Sequence, residues 1–484
     1  MIGKYTLESL TSGMYLTPLD LYREYVQNAA DSIDTALMDG QITKKDSRIT
    51  ITINSLQRII TIEDNGTGII ANEAVGTLVD IGNSKKDYKR SRGFRGIGRL
   101  SGLGYCKTLN FTTSAEGEDV ETIVSYDCEL LQKLLLPHEG KEESISEVID
   151  QVISYNTKKA EKKAHYFRVD MLDVKDIDGL LNKNKIITYM KQNLPIPFAT
   201  DFIWGSVITE KLKMNGMLMP EYNIYLNFDG EKTRICKPYA DSVLSDRVRR
   251  IEDPIEDIKF RTFSVDDEVC AVLWYAQNNY YGTILDNQVK GIRVRHGNIL
   301  FGDQNSLRRY FKEERFNGWI CGELHICSDK IIPNSRRDDF ERNDVYLNVM
   351  EQFKEWTSEM SKEIRSNSYK RSLDENSQKI IEMELEDKVD EKELLGRFSN
   401  IKSEDQYDDM DESDQLASID FFGKLSVLAN MQKSVTKYNA LNISTKISNE
   451  QRMIYEKVFD AVFDRMKKKE AEEVVQIIIE ECVS

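Results

Sequence analysis

The 484 residues carry a formal net charge of −16, from 66 basic and 82 acidic side chains, and 40% of them are hydrophobic. At roughly 100–200 residues per domain, this length predicts about three domains. The acidic balance argues against a protein that mainly coats nucleic acid, although a local basic patch could still contact phosphate. The sequence contains no apolar run near the ~18–20 residues that span a membrane and no recognisable secretory signal, so we expect no membrane association and a cytoplasmic location.

Seven cysteines are spread along the chain without a C-x-x-C pair. Their odd number and wide spacing favour neither a disulfide framework nor a zinc site. We therefore expect reduced and mostly buried thiols.

The first segment with a chemical signature is a predicted amphipathic helix that begins near residue 18. At 100° per residue, Glu24, Asn28 and Asp31 fall within a sector of about 60°. The polar side carries no lysine, although long cations are common on helix faces in water. The face is therefore either simply solvated or a site that offers two carboxylates and a carboxamide. The opposite side is apolar and contains Tyr22, Val26, Ala29, Ala30, Ile33 and Leu37.

Two alternating runs, at residues 49–53 and 59–62, predict a pair of strands. The second run continues into D-N-G-T-G at residues 64–68, which places a carboxylate at a sheet edge. The glycines allow a sharp turn and a close approach to a ligand. Because a carboxylate only accepts hydrogen bonds, Asp64 suits an exocyclic amine such as that of adenine. The alternative is an ordinary Asp-Asn-Gly turn.

A basic, glycine-rich segment covers residues 85–104. Seven cations and one acid lie between Lys85 and Arg99, and five glycines lie within residues 93–104. Backbone N–H groups of such a loop can surround a phosphate, and nearby cations offset its charge. The segment is not a Walker A motif, and no βαβ pattern surrounds it as a dinucleotide-binding fingerprint requires. A flexible basic surface loop is the alternative.

In their order and spacing, the segments E-x-x-x-N-A-x-D, D-x-G-x-G and G-x-x-G-x-G resemble the GHKL ATPase superfamily. That superfamily includes DNA gyrase B, the ninety-kilodalton heat-shock chaperones, sensor histidine kinases, MutL and MORC proteins. The resemblance covers residues 1–135 and implies a Bergerat-type α/β sandwich. Its cofactors would be ATP and magnesium, bound between the helices and a mixed sheet.

The resemblance also implies roles for individual residues. Glu24 would be the general base that polarises the attacking water, Asn28 would bind magnesium, and Asp64 would accept a hydrogen bond from the adenine amino group. Lys85 and the segment after it would form a mobile lid over the phosphates. The predicted ATP-binding residues are Asn28, Asp31, Asp64, Gly66, Gly68, Asn83, Lys85, Gly93, Phe94, Arg95, Gly96, Ile97, Gly98 and Thr113.

Glu24 favours a hydrolytic branch of the superfamily, because the histidine kinases have Asn at that position. All four histidines lie downstream of the motif helix, so an upstream phospho-accepting helix is not indicated. Phosphoryl transfer depends on charge neutralisation, a metal and an aligned nucleophile more than on covalent catalysis. We therefore predict an ATPase, which converts ATP and water to ADP and phosphate with slow turnover.

The rest of the chain divides by composition, and the predicted fold class is α+β overall. We expect a connecting segment at 136–194, a transducer-like α/β domain at 195–344, and a helical C-terminal region at 345–484 with an acidic linker around 404–414. In the hydrolytic branches a basic residue of the second domain contacts the γ-phosphate, and Arg336 is the best match. Arg337 and Lys330 are alternatives, and a surface ion-pair cluster is the competing interpretation.

Together these features predict an ATP-driven molecular clamp whose N-terminal domains associate in a homodimer when ATP is bound. Three biological roles remain open: chaperone-like remodelling of protein clients, a DNA-associated clamp of MutL or MORC type, and a nucleotide-gated sensor of a prokaryotic anti-phage defence system with a separately encoded effector. The acidic charge weighs against the DNA-associated clamp, and so does the lack of a nuclease or zinc module in the sequence.

Overall fold

The computed structural model describes residues 17–80, 98–136, 144–217, 219–334 and 338–385. Within these ranges the fold is α+β, as predicted, with two large sheets and a two-stranded ribbon. The helices are α1 (Asp20–Met38), α2 (Ala71–Val79), α3 (Cys128–Leu135), α4 (Ile145–Val152), α5 (Lys183–Asn193), α6 (Trp204–Met214) and α7 (Asp344–Leu385). The strands are β1 (Ile49–Asn54), β2 (Ile59–Asp64), β3 (Thr108–Ser114), β4 (Val120–Asp127), β5 (Ile153–Lys159), β6 (Tyr166–Leu172), β7 (Ile224–Phe228), β8 (Glu231–Arg234), β9 (Ser242–Ser245), β10 (Ile251–Pro254), β11 (Asp257–Val265), β12 (Glu268–Gln277), β13 (Gly291–His296), β14 (Ile299–Phe301) and β15 (Cys321–Ile326).

The first sheet is mixed and has the strand order β5-β4-β3-β6-β2-β1-β7-β8. Only β1 and β7 run parallel, and the other neighbours are antiparallel. Every second side chain of β1 and β2 is buried, which is the pattern of a sheet with one covered face. Helix α1 packs on that face through its apolar side, so the predicted helix and strand pair are confirmed.

The first sheet continues beyond the segment that carries the sequence motifs. Strand β6, from the predicted connecting segment, lies between β2 and β3 and pairs with both. Strands β7 and β8, from the predicted second domain, extend the sheet past β1. The predicted boundaries at residues 135 and 195 therefore both fall inside the stretch of chain that builds this sheet. Each interior strand needs partners on both edges for its backbone groups, and β6 and β7 supply them to β2, β3 and β1.

The second sheet has the order β11-β12-β15-β13-β14 and is covered on both faces. One face packs against Phe353 and Trp356 of α7, and the other packs against Ile208 and Leu212 of α6. Short runs of apolar and polar residues at 269–274 and 292–296 predict strands, and the structure confirms them as β12 and β13.

The predicted C-terminal helical region begins with α7, which spans 42 residues. The acidic linker at 404–414 and the helix predicted after it lie outside the described residues. In the part of the chain that the structure describes, no helix is both long and apolar enough to cross a membrane.

Candidate nucleotide site

Helix α1 places Glu24, Asn28 and Asp31 on one side, as the helical spacing predicted. Glu24 and Asp31 are only 7% and 8% exposed, whereas Asn28 is partly exposed. A solvated polar face would leave all three side chains in water, so that interpretation does not hold for the two acids. Their burial instead indicates that other segments cover this side of the helix.

The end of the glycine-rich segment covers Glu24. A Cβ atom at Gly98 would lie 2.5 Å from Oε2 of Glu24, so a side chain at this position would force the carboxylate to move. Gly98 opens a short 3-10 helix, Gly98–Gly102, which Tyr25 ties to α1. The Tyr25 hydroxyl donates to the carbonyl of Arg99 at 3.1 Å and accepts from the amide of Gly102 at 3.0 Å. The first and third motifs therefore meet at Glu24.

The turn after β2 also contacts α1. Asp64 is buried at the end of the strand, and its Oδ1 accepts the Gly66 amide at 2.9 Å, which orients the carboxylate. Gly66 lies against Ser32, whose Oγ accepts the Thr67 amide at 3.1 Å. A side chain at Gly66 would collide with Ser32. The second motif therefore packs on α1 and hydrogen-bonds to it at Ser32, the residue after Asp31.

Gly68 and Thr113 fix the far side of the same turn. Gly68 has φ +65°, and a Cβ there would collide with the carbonyl of Ser114 on β3. The Thr113 hydroxyl accepts the Ile69 amide at 2.8 Å and donates to the Tyr166 carbonyl at 3.1 Å. The structure therefore shows Thr113 holding the turn, and its predicted contact with a nucleotide stays a prediction.

Four residues that support this site did not emerge from the sequence. Ser32, Tyr25 and His165 bind backbone groups of the two glycine segments, and Nδ1 of His165 lies 2.8 Å from the Gly66 carbonyl. These contacts join residues up to 99 positions apart, so no local pattern signals them. The fourth residue, Arg23, makes a local contact instead, because it directly precedes Glu24 on the helix. Its Nη2 lies 3.3 Å from Oε1 of Glu24.

Several predicted site residues lie outside the described residues. They are Asn83, Lys85, Gly93, Phe94, Arg95, Gly96, Ile97, Arg336 and Arg337. The lid and the contact of Arg336 with a γ-phosphate therefore remain predictions. Of the basic candidates downstream, Lys330 is described: its exposed ammonium lies 2.6 Å from Glu268, and the hydrogen bond and charge of this partner raise the pKa of Lys330.

The geometry around α1 fits a nucleotide with its metal. Gly98 brings an open backbone segment beside a carboxylate, and Asp64 offers a buried acceptor at a sheet edge. The carboxamide oxygen of Asn28 is a hard donor of the kind that magnesium prefers, one helical turn from Glu24. Among the described residues, no group of three or more His, Cys, Asp or Glu is arranged to hold a metal ion. Magnesium here would therefore depend on Asn28 together with phosphate and water oxygens.

Comparison with known proteins supports the same assignment. Residues 22–159 match the family described as histidine kinase-, DNA gyrase B-, and HSP90-like ATPase. The chain is also similar to the chaperone protein HtpG of Halalkalibacterium halodurans, with 32% identity over 133 residues. That match covers 24% of this chain and 21% of the relative, so it spans about a fifth of the chaperone's length. The glycine turn, Glu24 and Gly98 all lie within residues 22–159, and this part of the chain is therefore similar to the ATPase domains of the GHKL superfamily and resembles the Hsp90 proteins.

Proposed function

We propose that this protein is an ATP-binding and ATP-hydrolysing switch. The observation that carries the proposal is the contact between Glu24 and Gly98, because it brings a buried carboxylate to the loop segment expected to hold the phosphates. A carboxylate at this position can accept a proton from water, as hydrolysis requires. The match of residues 22–159 to HSP90-like ATPases supports the same activity.

In the proposed mechanism each motif does one task. Asp64 accepts a hydrogen bond from the adenine amino group, and the Gly66 amide keeps the Asp64 carboxylate oriented. Backbone amides of the glycine-rich segment, that of Gly98 among them, would bind phosphate. Asn28 would hold magnesium, which would offset the negative charge of the phosphates. Glu24 then takes a proton from the water that attacks the γ-phosphate.

The test separates binding from turnover. Glu24→Ala is expected to reduce ATP hydrolysis at least ~100-fold, as general-base removal does, while a non-hydrolysable ATP analogue still binds. Asp64→Asn is expected to eliminate nucleotide binding, because the amide presents a donor where adenine needs an acceptor. Asp170→Asn is the control, since Asp170 bonds to Thr61 in the same sheet at 2.7 Å. Undiminished turnover in Glu24→Ala would show that another group is the base.

We further propose that ATP closes the protein as a homodimer and that Arg336 then approaches the γ-phosphate. Light scattering with and without the non-hydrolysable analogue tests the association. Arg336→Ala is expected to slow turnover and spare the affinity for ADP, and a loss of ADP binding would assign Arg336 a structural role instead.

For the biological role we propose chaperone-like remodelling or control of a protein effector. The similarity to HtpG, which is a chaperone, favours the first of these roles. ATP-dependent suppression of client aggregation would support it, whereas co-purification with a neighbouring gene product would favour effector control. A salt-sensitive shift of duplex DNA would point to the DNA-associated clamp.

A further inference from the structure

The first turn of α1 holds one cation between two carboxylates. The guanidinium of Arg23 lies 3.3 Å from Oε1 of Glu24 through Nη2 and 3.7 Å from Oδ1 of Asp20 through Nη1. All three side chains are buried, at 6% to 7% exposure. Helix α5 completes the group, because the hydroxyl of Tyr189 donates to Oδ1 of Asp20 at 2.7 Å.

We infer that Asp20 and Tyr189 are positioning residues for the proposed base, and that they act by sharing Arg23 between Asp20 and Glu24. The inference rests on the proposed role of Glu24 in hydrolysis. Neither Asp20 nor Tyr189 belongs to the three motifs, and Tyr189 comes from a different helix. The chain Tyr189–Asp20–Arg23–Glu24 thereby connects α5 to the carboxylate beside Gly98.

The electrostatics of the cluster support this sharing. Arg23 donates to Oε1 of Glu24 through Nε at 3.4 Å and Nη2 at 3.3 Å, and lies 3.7 Å from Asp20, so both acids attract it and Glu24 holds it more strongly. Burial alone lowers the pKa of Arg23, but the charges of Glu24 and Asp20 and the hydrogen bond to Glu24 raise it above its ordinary value. The guanidinium is therefore always charged, and its position decides how much of that charge each acid receives.

Among the described residues, Tyr189 and Tyr105 face Asp20 from other elements. Burial and the charge of Asp20 raise the pKa of Tyr189 well above its ordinary value, so its hydroxyl remains a neutral donor. Tyr105 is also close, since burial and then the charges of Asp20 and Asp178 raise its pKa. Arg23 is the cation that Asp20 pairs with in the described contacts. Without the charge of Asp20, Arg23 would therefore pair with Glu24 alone, and the carboxylate of Glu24 would be less available to the attacking water.

The experiment compares Asp20→Asn and Tyr189→Phe with the wild-type full-length protein. For Asp20→Asn we expect kcat to fall about three- to tenfold, KM for magnesium-ATP to stay within about twofold, and the acid limb of the pH–rate profile to move. Tyr189→Phe should change kcat and the pH profile in the same direction but less. The changes in kcat and in the pH profile of the double variant should be no larger than those of Asp20→Asn, because Tyr189 acts through Asp20.

The matched control is the second tyrosine–aspartate pair on α1. The Tyr222 hydroxyl donates to Oδ1 of Asp34 at 2.6 Å, ten residues beyond Glu24 and thus about 15 Å along the helix axis. On the same helix, Asp34→Asn removes the charge of a similar pair and Tyr222→Phe removes its hydrogen bond. We expect both variants to keep the wild-type kcat and pH profile.

The outcomes separate this inference from the proposed function. If the wild-type protein hydrolyses ATP and Asp20→Asn keeps its kcat and pH profile, the positioning role is refuted and the ATPase proposal stands. If the wild-type protein binds ATP without hydrolysing it, both fail. Thermal melting monitors folding, and if Asp20→Asn unfolds, Tyr189→Phe decides the question, because it removes one hydroxyl and no charge.

Discussion

Replacing Glu323 by glutamine would remove one negative charge from the interior of the second sheet. The Glu323 side chain on β15 is fully buried, and its carboxylate pairs with Arg295 on β13 and with the ammonium of Lys237, which lies 2.6 Å away. Burial and the charge of Arg295 lower the pKa of Lys237 to about 7, while Glu323 acts in the opposite direction. Three further groups contact the same carboxylate: Tyr239, Trp274 and His325.

The expected cost follows from this burial. Glu323→Gln keeps the size of the side chain but removes the carboxylate that Arg295 and Lys237 share, and both of these are only 1% exposed. Breaking a buried ion pair by removing one partner typically costs about 3–5 kcal/mol of unfolding free energy. Glu268→Gln is a matched control, because its ion pair with Lys330 has the same 2.6 Å distance but half-exposed side chains. A surface pair of that kind contributes about 0–1 kcal/mol.

Urea unfolding followed by tryptophan fluorescence provides the measurement. All four tryptophans lie between residues 204 and 356, so the signal reports on the part of the chain that contains the second sheet. The midpoint should fall strongly for Glu323→Gln and hardly at all for Glu268→Gln, with the urea dependence unchanged. If the two variants differ by less than about 1 kcal/mol, burial does not govern these ion pairs and the reasoning is wrong.

Two further predictions concern His325 and Gly98. Burial lowers the pKa of His325 from 6.5 to about 4. Between these pH values His325 is protonated in the unfolded chain and neutral in the folded protein. Protonation of His325 in the unfolded chain therefore does not lower the free energy of unfolding above about pH 6.5, but lowers it by about 3 kcal/mol as the pH falls to 4. His325→Gln should flatten this pH dependence in urea titrations across that range. Gly98→Ala should lower ATP turnover at least about tenfold, because its Cβ would lie 2.5 Å from Oε2 of Glu24. Unchanged turnover in Gly98→Ala would mean that the loop is not held against Glu24 during hydrolysis.

The local elements of this protein follow from short stretches of sequence. The spacing of Tyr22, Val26 and Ile33 predicted the buried side of α1, and alternation predicted β1 and β2. The D-x-G-x-G turn was also readable, because Gly68 adopts the positive φ that glycine tolerates best. In each case the information lies within a few neighbouring residues, since helical and strand periodicity and turn geometry are local properties.

The tertiary structure alone decided how these elements cover one another. The polar side of α1 could have faced water, but in the described part of the chain Glu24 is buried, with Gly98 against its carboxylate. Likewise, β6 lies between β2 and β3 although it comes from a segment with no strong strand signal.

The pairings that matter most for the site and for stability join residues far apart in the chain. Tyr189 binds Asp20 across 169 positions, and Lys237 meets Glu323 across 86. Periodicity carries no information about such contacts, because they depend on which faces pack together and on how much water that packing excludes. The sequence alone therefore determined the motifs and the superfamily of this protein, whereas the burial of its charges, which controls their chemistry, was decided by the fold.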